Sequence, residues 1–231
     1  MWYSFHIYGI EAINFFKTIS NDKYKSIKKF FIYYMDVEGF HVRLRIFLEN
    51  KNKKNVIFND LSKDFNEYII LEKLYDPEYN ILGEKLDTYE EYSAILSRDI
   101  IEKNIYKPSF NFIKIAIFNF VSEILADDTL YFLEKYIDFW KGSFFIRKFH
   151  SVVSNFNEDC GDLDYFEILN QYWIKEAEAI RNNLDYESIN RSLLFKICHM
   201  TFNKLGYTIV DEVNLFEEIL NEHQGVKYGR Y

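Results

Sequence analysis

The sequence predicts an α+β fold: an N-terminal split β-α-β sheet with helices packed on it, followed by a mainly helical C-terminal half. Three observations predict it. Phe31-Ile32-Tyr33-Tyr34-Met35-Asp36 and His41-Val42-Arg43-Leu44-Arg45-Ile46-Phe47-Leu48-Glu49 are apolar-rich runs flanking a turn at Val37-Glu38-Gly39-Phe40, a hairpin pattern. A strand and a helical stretch precede that hairpin, giving a β-α-β-β order. Beyond Leu86 the apolar spacing becomes helical.

Taken in order, Trp2 to Tyr8 reads as the first strand, ended by Gly9, and residues 11–28 carry a helical pattern. The hairpin strands follow at about 30–36 and 41–49. A helical or irregular segment at 56–66 leads to a further strand over Tyr68–Tyr75. Thr88-Tyr89-Glu90-Glu91 has the form of a capping box opening a helix to Lys103, and Pro108 marks a break before an apolar segment at 110–125. Further helices are expected at 128–141, 143–155, 164–183, 187–205 and 209–222, with Asp164-Tyr165-Phe166-Glu167 as a helix start. Residues 225–231 lack a helical pattern and predict a frayed tail.

With Pro 2 and Gly 8 in 231 residues there is no linker composition, so residues 1–231 read as a single domain, sheet-rich over 1–86 and helical over 87–224. The net charge of −8 argues against direct nucleic-acid binding, which needs clustered Lys and Arg over a broad surface. Lys51-Asn52-Lys53-Lys54 reads as a solvated loop. Cys160 and Cys198 are too few for a disulfide framework, and no paired Cys/His spacing suggests zinc; no metal or cofactor is expected. No signal-peptide pattern and no 18-residue uncharged apolar run is present. A cytoplasmic protein without a membrane span is the expectation.

The second hairpin strand alternates strictly, so His41, Arg43 and Arg45 share one face while Val42, Leu44, Ile46 and Leu48 share the other. Of only seven arginines in the chain, two lie on this face. Residues two apart on a strand sit about 6.5 to 7 Å apart, so their charges repel by roughly 2 kcal/mol at an effective dielectric of about 20. Two readings follow. The face is solvated, or it lines a cleft that takes an anion, for which a guanidinium fork suits a carboxylate.

Three segments, in this order, resemble the C-terminal, glutamate-eliminating domain of lantibiotic dehydratases, also known from thiopeptide-type bacteriocin biosynthesis. They are Trp2-Tyr3-Ser4-Phe5-His6-Ile7-Tyr8-Gly9 with the hairpin residues Phe31 to Asp36 and His41 to Arg45; Tyr75-Asp76-Pro77-Glu78-Tyr79-Asn80-Ile81-Leu82-Gly83-Glu84; and His199-Met200-Thr201-Phe202-Asn203-Lys204-Leu205-Gly206. The resemblance implies an enzyme of ribosomal-peptide modification that expels glutamate from glutamylated Ser or Thr of a precursor peptide, leaving dehydroalanine or dehydrobutyrine. Such chemistry needs fixed cations for the enolate-like oxyanion and the departing carboxylate, and one proton-transferring group. Arg43 and Arg45 match the family's arginine pair and His199 its functional histidine, which implies catalytic roles for all three.

Where the family has an arginine in the middle segment this chain has Ile81, and Lys204 stands for the late-helix arginine. Arg98 is the substitute cation the sequence offers, so His41, Arg98 and Lys204 complete the expected set as substrate-binding residues. His41 itself suits either a structural hydrogen bond or proton transfer. The implied partners are the precursor peptide and a separate glutamylating subunit, since the chain opens directly at its first strand. Two other classes stand beside elimination: a pyridine-forming [4+2] cyclase of thiopeptide pathways, which fits Ile81, and a leader-peptide-binding subunit using an edge strand.

Other constellations point to less. His6 reads as a packing residue; His150 and His223 suggest nothing; Cys198 and His199 are adjacent on a helix and so point about 100° apart, leaving Cys198 as a core residue. The acidic run from Glu158 to Asp164 lacks calcium-loop spacing, and Ser192 lies two turns before His199 without an evident base.

Overall fold

The structure is a computed structural model that describes residues 1–36, 39–77, 83, 86–142 and 189–228. The expected helices at 143–155 and 164–183, the acidic run with Cys160, His150, and Ile81 all lie outside the described residues, as does the side chain of Ser192. The contacts divide the chain into two compact units, one of Met1–Tyr106 with Asn203–Gly206, the other of Lys107–Phe202 with Tyr207–Tyr231.

In the first unit the described strands are β1 (Trp2–Tyr8), β2 (Lys29–Asp36), β3 (Gly39–Phe47) and β4 (Ile69–Lys73), forming one sheet in the order β2-β3-β1-β4. Every neighbouring pair is antiparallel, so β1 and β2 run parallel with β3 between them: a split β-α-β arrangement extended by β4. The expected helix over 11–28 is two pieces, α1 (Ala12–Ile19) and α2 (Asp22–Lys25). The break falls at Ser20–Asn21: Ser20 closes the first helix, and Asn21 is extended as the N-cap residue of the second.

The lysine run is also more ordered than expected: Lys51–Lys53 forms a 3-10 turn, capped by Asn50, which leads into α3 (Lys54–Asp64). The helix after β4, α4 (Leu86–Glu102), starts ahead of Thr88, so Thr88 is not its N-cap; Asp87 supplies a carboxylate to the first turn, and Glu91 pairs with Lys28. One sheet face packs on α1 and α3, burying Phe5, Ile7, Phe31, Val42, Leu44 and Ile46 with Phe15, Ile19, Leu61 and Phe65. Such side chains contribute about 1.5–3 kcal/mol each when fully buried.

The outer edge of β2 is covered by side chains. Asn203 accepts from the Tyr33 amide at 2.8 Å and donates to the Tyr33 carbonyl at 2.7 Å, while the buried Lys204 ammonium donates to the Phe31 carbonyl at 2.7 Å. These bonds satisfy edge groups that an open strand would leave exposed.

The second unit contains α5 (Phe110–Leu125), α6 (Thr129–Gly142), α7 (Ile189–Lys204, whose last two residues count with the first unit) and α8 (Ile209–Tyr228). Ser109 caps α5 by accepting from the Phe112 amide at 3.3 Å. Thr208 and Asp211 form a reciprocal capping box at α8, the Thr208 amide donating to Asp211 at 2.8 Å and the Asp211 amide to the Thr208 hydroxyl at 3.2 Å. α8 continues to Tyr228, past the point where a frayed tail was expected, because extending an existing helix is far easier than nucleating one. Among the described residues no helix is long and apolar enough to cross a membrane.

Candidate functional site

The strand register sorts one sheet face into three rows. Tyr34, His41, Tyr8 and Ile69 lie opposite one another; then Ile32, Arg43, His6 and Leu71; then Phe30, Arg45, Ser4 and Lys73. Directly opposed residues share a face, so His41, Arg43 and Arg45 are joined there by His6, Ser4 and Tyr8. This is not a solvated face. His41 is 0%, Arg45 5%, His6 8% and Ser4 1% exposed, with Arg43 half-buried.

Each cation is held by named neighbours. Arg45 Nη1 donates to Ser4 Oγ at 2.6 Å, and its guanidinium lies 5.3 Å from the ring centre of Tyr75, whose hydroxyl donates to Glu90. Burial, followed by the Glu90 contact, pushes the Tyr75 phenol up. Arg43 stacks on Tyr34 with its guanidinium carbon 3.3 Å from the ring centre, and its Nε donates to His41 Nε2 at 3.2 Å. The His41 ring stacks on Tyr8 at 4.7 Å and on His6 at 5.0 Å. Burial, then Arg45, Arg43, His41 and Lys73 in turn, lower His6 to about 3, so it is neutral at neutral pH.

Arg98 is 54% exposed and its Nε lies 3.4 Å from Asp99 Oδ1. Lys204 is placed on the β2 backbone, as described above.

His199 lies in the second unit. Its Nδ1 is 3.0 and 3.1 Å from the two carboxylate oxygens of Glu212, which is fully buried, and Tyr136 donates its hydroxyl to the same carboxylate. Trp140, one turn from Tyr136 on α6, packs 4.9 Å from the imidazole. Burial raises the Glu212 carboxyl, while His199 and Tyr136 act against that rise. The Nδ1 contact fixes the ring and leaves Nε2 as the nitrogen that can exchange a proton with an outside group. Cys198 is a buried core residue, its thiol pushed up first by burial and then by Glu212. Among the described residues, no three His, Cys, Asp or Glu side chains are grouped to hold a metal ion.

Sequence reasoning read His6 as a packing residue and gave no role to Ser4 and Tyr34 on the sheet, to Tyr75 just beyond it, or to Tyr136, Trp140 and Glu212 around His199. For His6 a signal was present: it alternates with Ser4 and Tyr8 on a strand beside the hairpin. For Glu212 no short sequence signal exists; the fold shows it buried.

The described strands form a four-stranded antiparallel sheet with two guanidinium groups on one largely buried face, and the chain also carries an imidazole held by a carboxyl group. The chain belongs to the lantibiotic biosynthesis dehydratase C-terminal family, whose profile matches residues 2–218. It is similar to the solved tRNA-dependent lantibiotic dehydratase MibB from Microbispora sp. 107891, with a TM-score of 0.65 and 14% identity, covering 100% of this chain and 28% of that chain. The chain therefore spans less than a third of that protein's length. A second solved structure, the pyridine synthase TbtD from thiomuracin biosynthesis, gives a TM-score of 0.48 at 11% identity over 97% of this chain and 99% of that one. No curated protein matches the sequence.

Proposed function

We propose that this protein eliminates glutamate from glutamylated Ser or Thr of a precursor peptide in the biosynthesis of a ribosomally made, modified peptide. The observation that carries the reading is the pair Arg43 and Arg45 on one buried strand face, oriented by His41, Tyr34 and Ser4. Family membership supports it. In the reaction a base takes the proton from the α-carbon, the electrons of that bond form the new double bond, and the ester C–O electrons leave with glutamate as a carboxylate. Arg43 and Arg45 stabilise the oxyanion and the departing carboxylate; His199, held by Glu212, moves a proton through Nε2. His41 orients Arg43, and the exposed Arg98 is assigned to the peptide's carboxylates; Lys204, expected to bind substrate, is instead buried with its ammonium on the Phe31 carbonyl and holds the edge of β2. The precursor peptide and a separate glutamylating protein are the partners this reading requires.

Incubation with a glutamylated precursor peptide tests the reading. The wild type should give a peptide lighter by one glutamate, and Arg43→Ala or His199→Ala should leave the glutamyl adduct in place. An unchanged mass with the wild type removes the proposal. Ile81, which stands where the resembled family has arginine, favours a second reading: pyridine-forming cyclisation of a peptide that already carries two dehydroamino acids. That activity would instead release a leader fragment.

A further inference from the structure

The two edges of the sheet differ. At β2 the Asn203 amide and the Lys204 ammonium occupy backbone groups of Tyr33 and Phe31. At the opposite edge, among the described residues, the β4 backbone pairs with β1 alone. Exposed edges are usually blunted by charge, proline or a bulge. β4 instead exposes Ile69 at 66% and Leu71 at 43%, with no proline between Ile69 and Lys73, and its one carboxylate, Glu72, is paired with Lys54 at 3.0 Å.

The register ties this edge to the site. Ile69, Leu71 and Lys73 stand opposite Tyr8, His6 and Ser4, and so project on the face that carries Arg43 and Arg45. A strand added outside β4 would set every second side chain on that same face. Directly opposed residues interact, so the fitting partners are aliphatic across from Ile69 and Leu71 and a carboxylate across from Lys73. A second copy fits poorly. In a two-fold pair of β4 strands, the register that overlaps the whole strand sets Ile69 against Lys73 and Ile70 against Glu72, apolar side chains against charged ones.

We propose that the outer edge of β4 binds an extended peptide by antiparallel strand addition, and that this peptide carries an acidic residue followed, at the second and fourth positions after it, by aliphatic ones. Backbone bonds to β4 supply the binding, and Lys73, Leu71 and Ile69 in turn read the alternate side chains. That the peptide is the precursor from which glutamate is expelled rests on the elimination reading; the pairing rests on the edge alone. Neighbouring strands lie about 4.8 Å apart, so the docked segment would run about 14 Å from β3. At least about four extended residues would then separate it from the residue held at Arg43.

The probe is a synthetic, fluorescently labelled peptide with glutamate, isoleucine and valine at alternate positions and threonine between them, titrated by anisotropy against the full chain. Saturable binding is expected, weakened about 5- to 10-fold by Leu71→Glu. Lys73→Glu should weaken it about 3-fold, and a peptide with lysine in place of its glutamate should restore it. A second arm uses the wild type alone. Methylating the peptide's backbone nitrogens one at a time should abolish binding at every second position and spare the positions between, since alternate residues turn their N–H toward the neighbouring strand. No binding, a methylation effect at every position or at none, or equal affinity in Leu71→Glu overturns the proposal. So does a wild-type dimer in sedimentation that Leu71→Glu dissolves, which would make a second copy the occupant. The probe carries no glutamyl ester, so these results stand whether or not elimination occurs, and failure of the pairing leaves the elimination reading to its own mass test.

Discussion

Arg43 Nε donates to His41 Nε2 at 3.2 Å, and the His41 proton is turned the other way, onto the Gly39 carbonyl. The imidazole thus aims a guanidinium, with Tyr34 beneath it at 3.3 Å. His41→Leu should keep the fold but release Arg43. Glutamate elimination is expected to fall about 10- to 100-fold, measured as the rate of adduct loss, while His41→Gln, which can still accept through its side-chain oxygen, should recover part of it.

The Glu212 carboxylate orients His199 and accepts from Tyr136. Glu212→Gln replaces one carboxyl oxygen by an amide and removes part of that orientation. Elimination should drop by about 10-fold or more, with little change in peptide binding. Tyr136→Phe should mainly affect stability, costing about 1–3 kcal/mol because a buried carboxylate loses a donor, read from the urea midpoint.

His6 gives the fold an acid sensitivity whose sign is fixed. Its folded value is lowered to about 3 from 6.5, so between those values the unfolded chain holds the extra proton. Its contribution is intact above pH 6.5 and is lost as the pH falls through that window. Urea midpoints taken between pH 7.5 and pH 4.5 should decline more steeply for the wild type than for His6→Gln.

The end of α7 should tolerate no side chain at Gly206. Its φ is +87°, and an added Cβ would come within 2.5 Å of the Tyr106 ring. The Gly206 amide donates to Asn203 and the Tyr207 amide to Phe202, as in a Schellman motif. Gly206→Ala is expected to cost about 2–4 kcal/mol from the backbone strain and the contact together. Combining it with Tyr106→Ala should recover the contact part and leave the strain.

Lys204 offers a separation of roles. Lys204→Met removes the bond to the Phe31 carbonyl and should destabilise the protein by about 1–3 kcal/mol. Peptide affinity should fall no further than that destabilisation explains, because the ammonium is buried on β2.

The sheet was largely legible because alternation is a local signal. β1 ends where Gly9 allows it, and Val42, Leu44 and Ile46 face the core as their spacing requires. The helices at 110–125 and 129–142 follow their apolar stripes. The break at Ser20–Asn21 was hidden, because the apolar periodicity runs through it. The site was half legible. Arg43 and Arg45 announced themselves by sharing a strand face, but His6 acquires its meaning from strand pairing and Glu212 from burial against a helix 76 residues earlier in the chain. Neither relationship is written in any short stretch of sequence.

The most direct test of the central claim uses a precursor peptide glutamylated at a serine that carries deuterium on its α-carbon. The account predicts that glutamate and the α-deuterium are lost together, leaving dehydroalanine, and that Arg43→Ala stops both losses. Release of glutamate with the deuterium retained and serine restored would mean hydrolysis of the ester, and would contradict it.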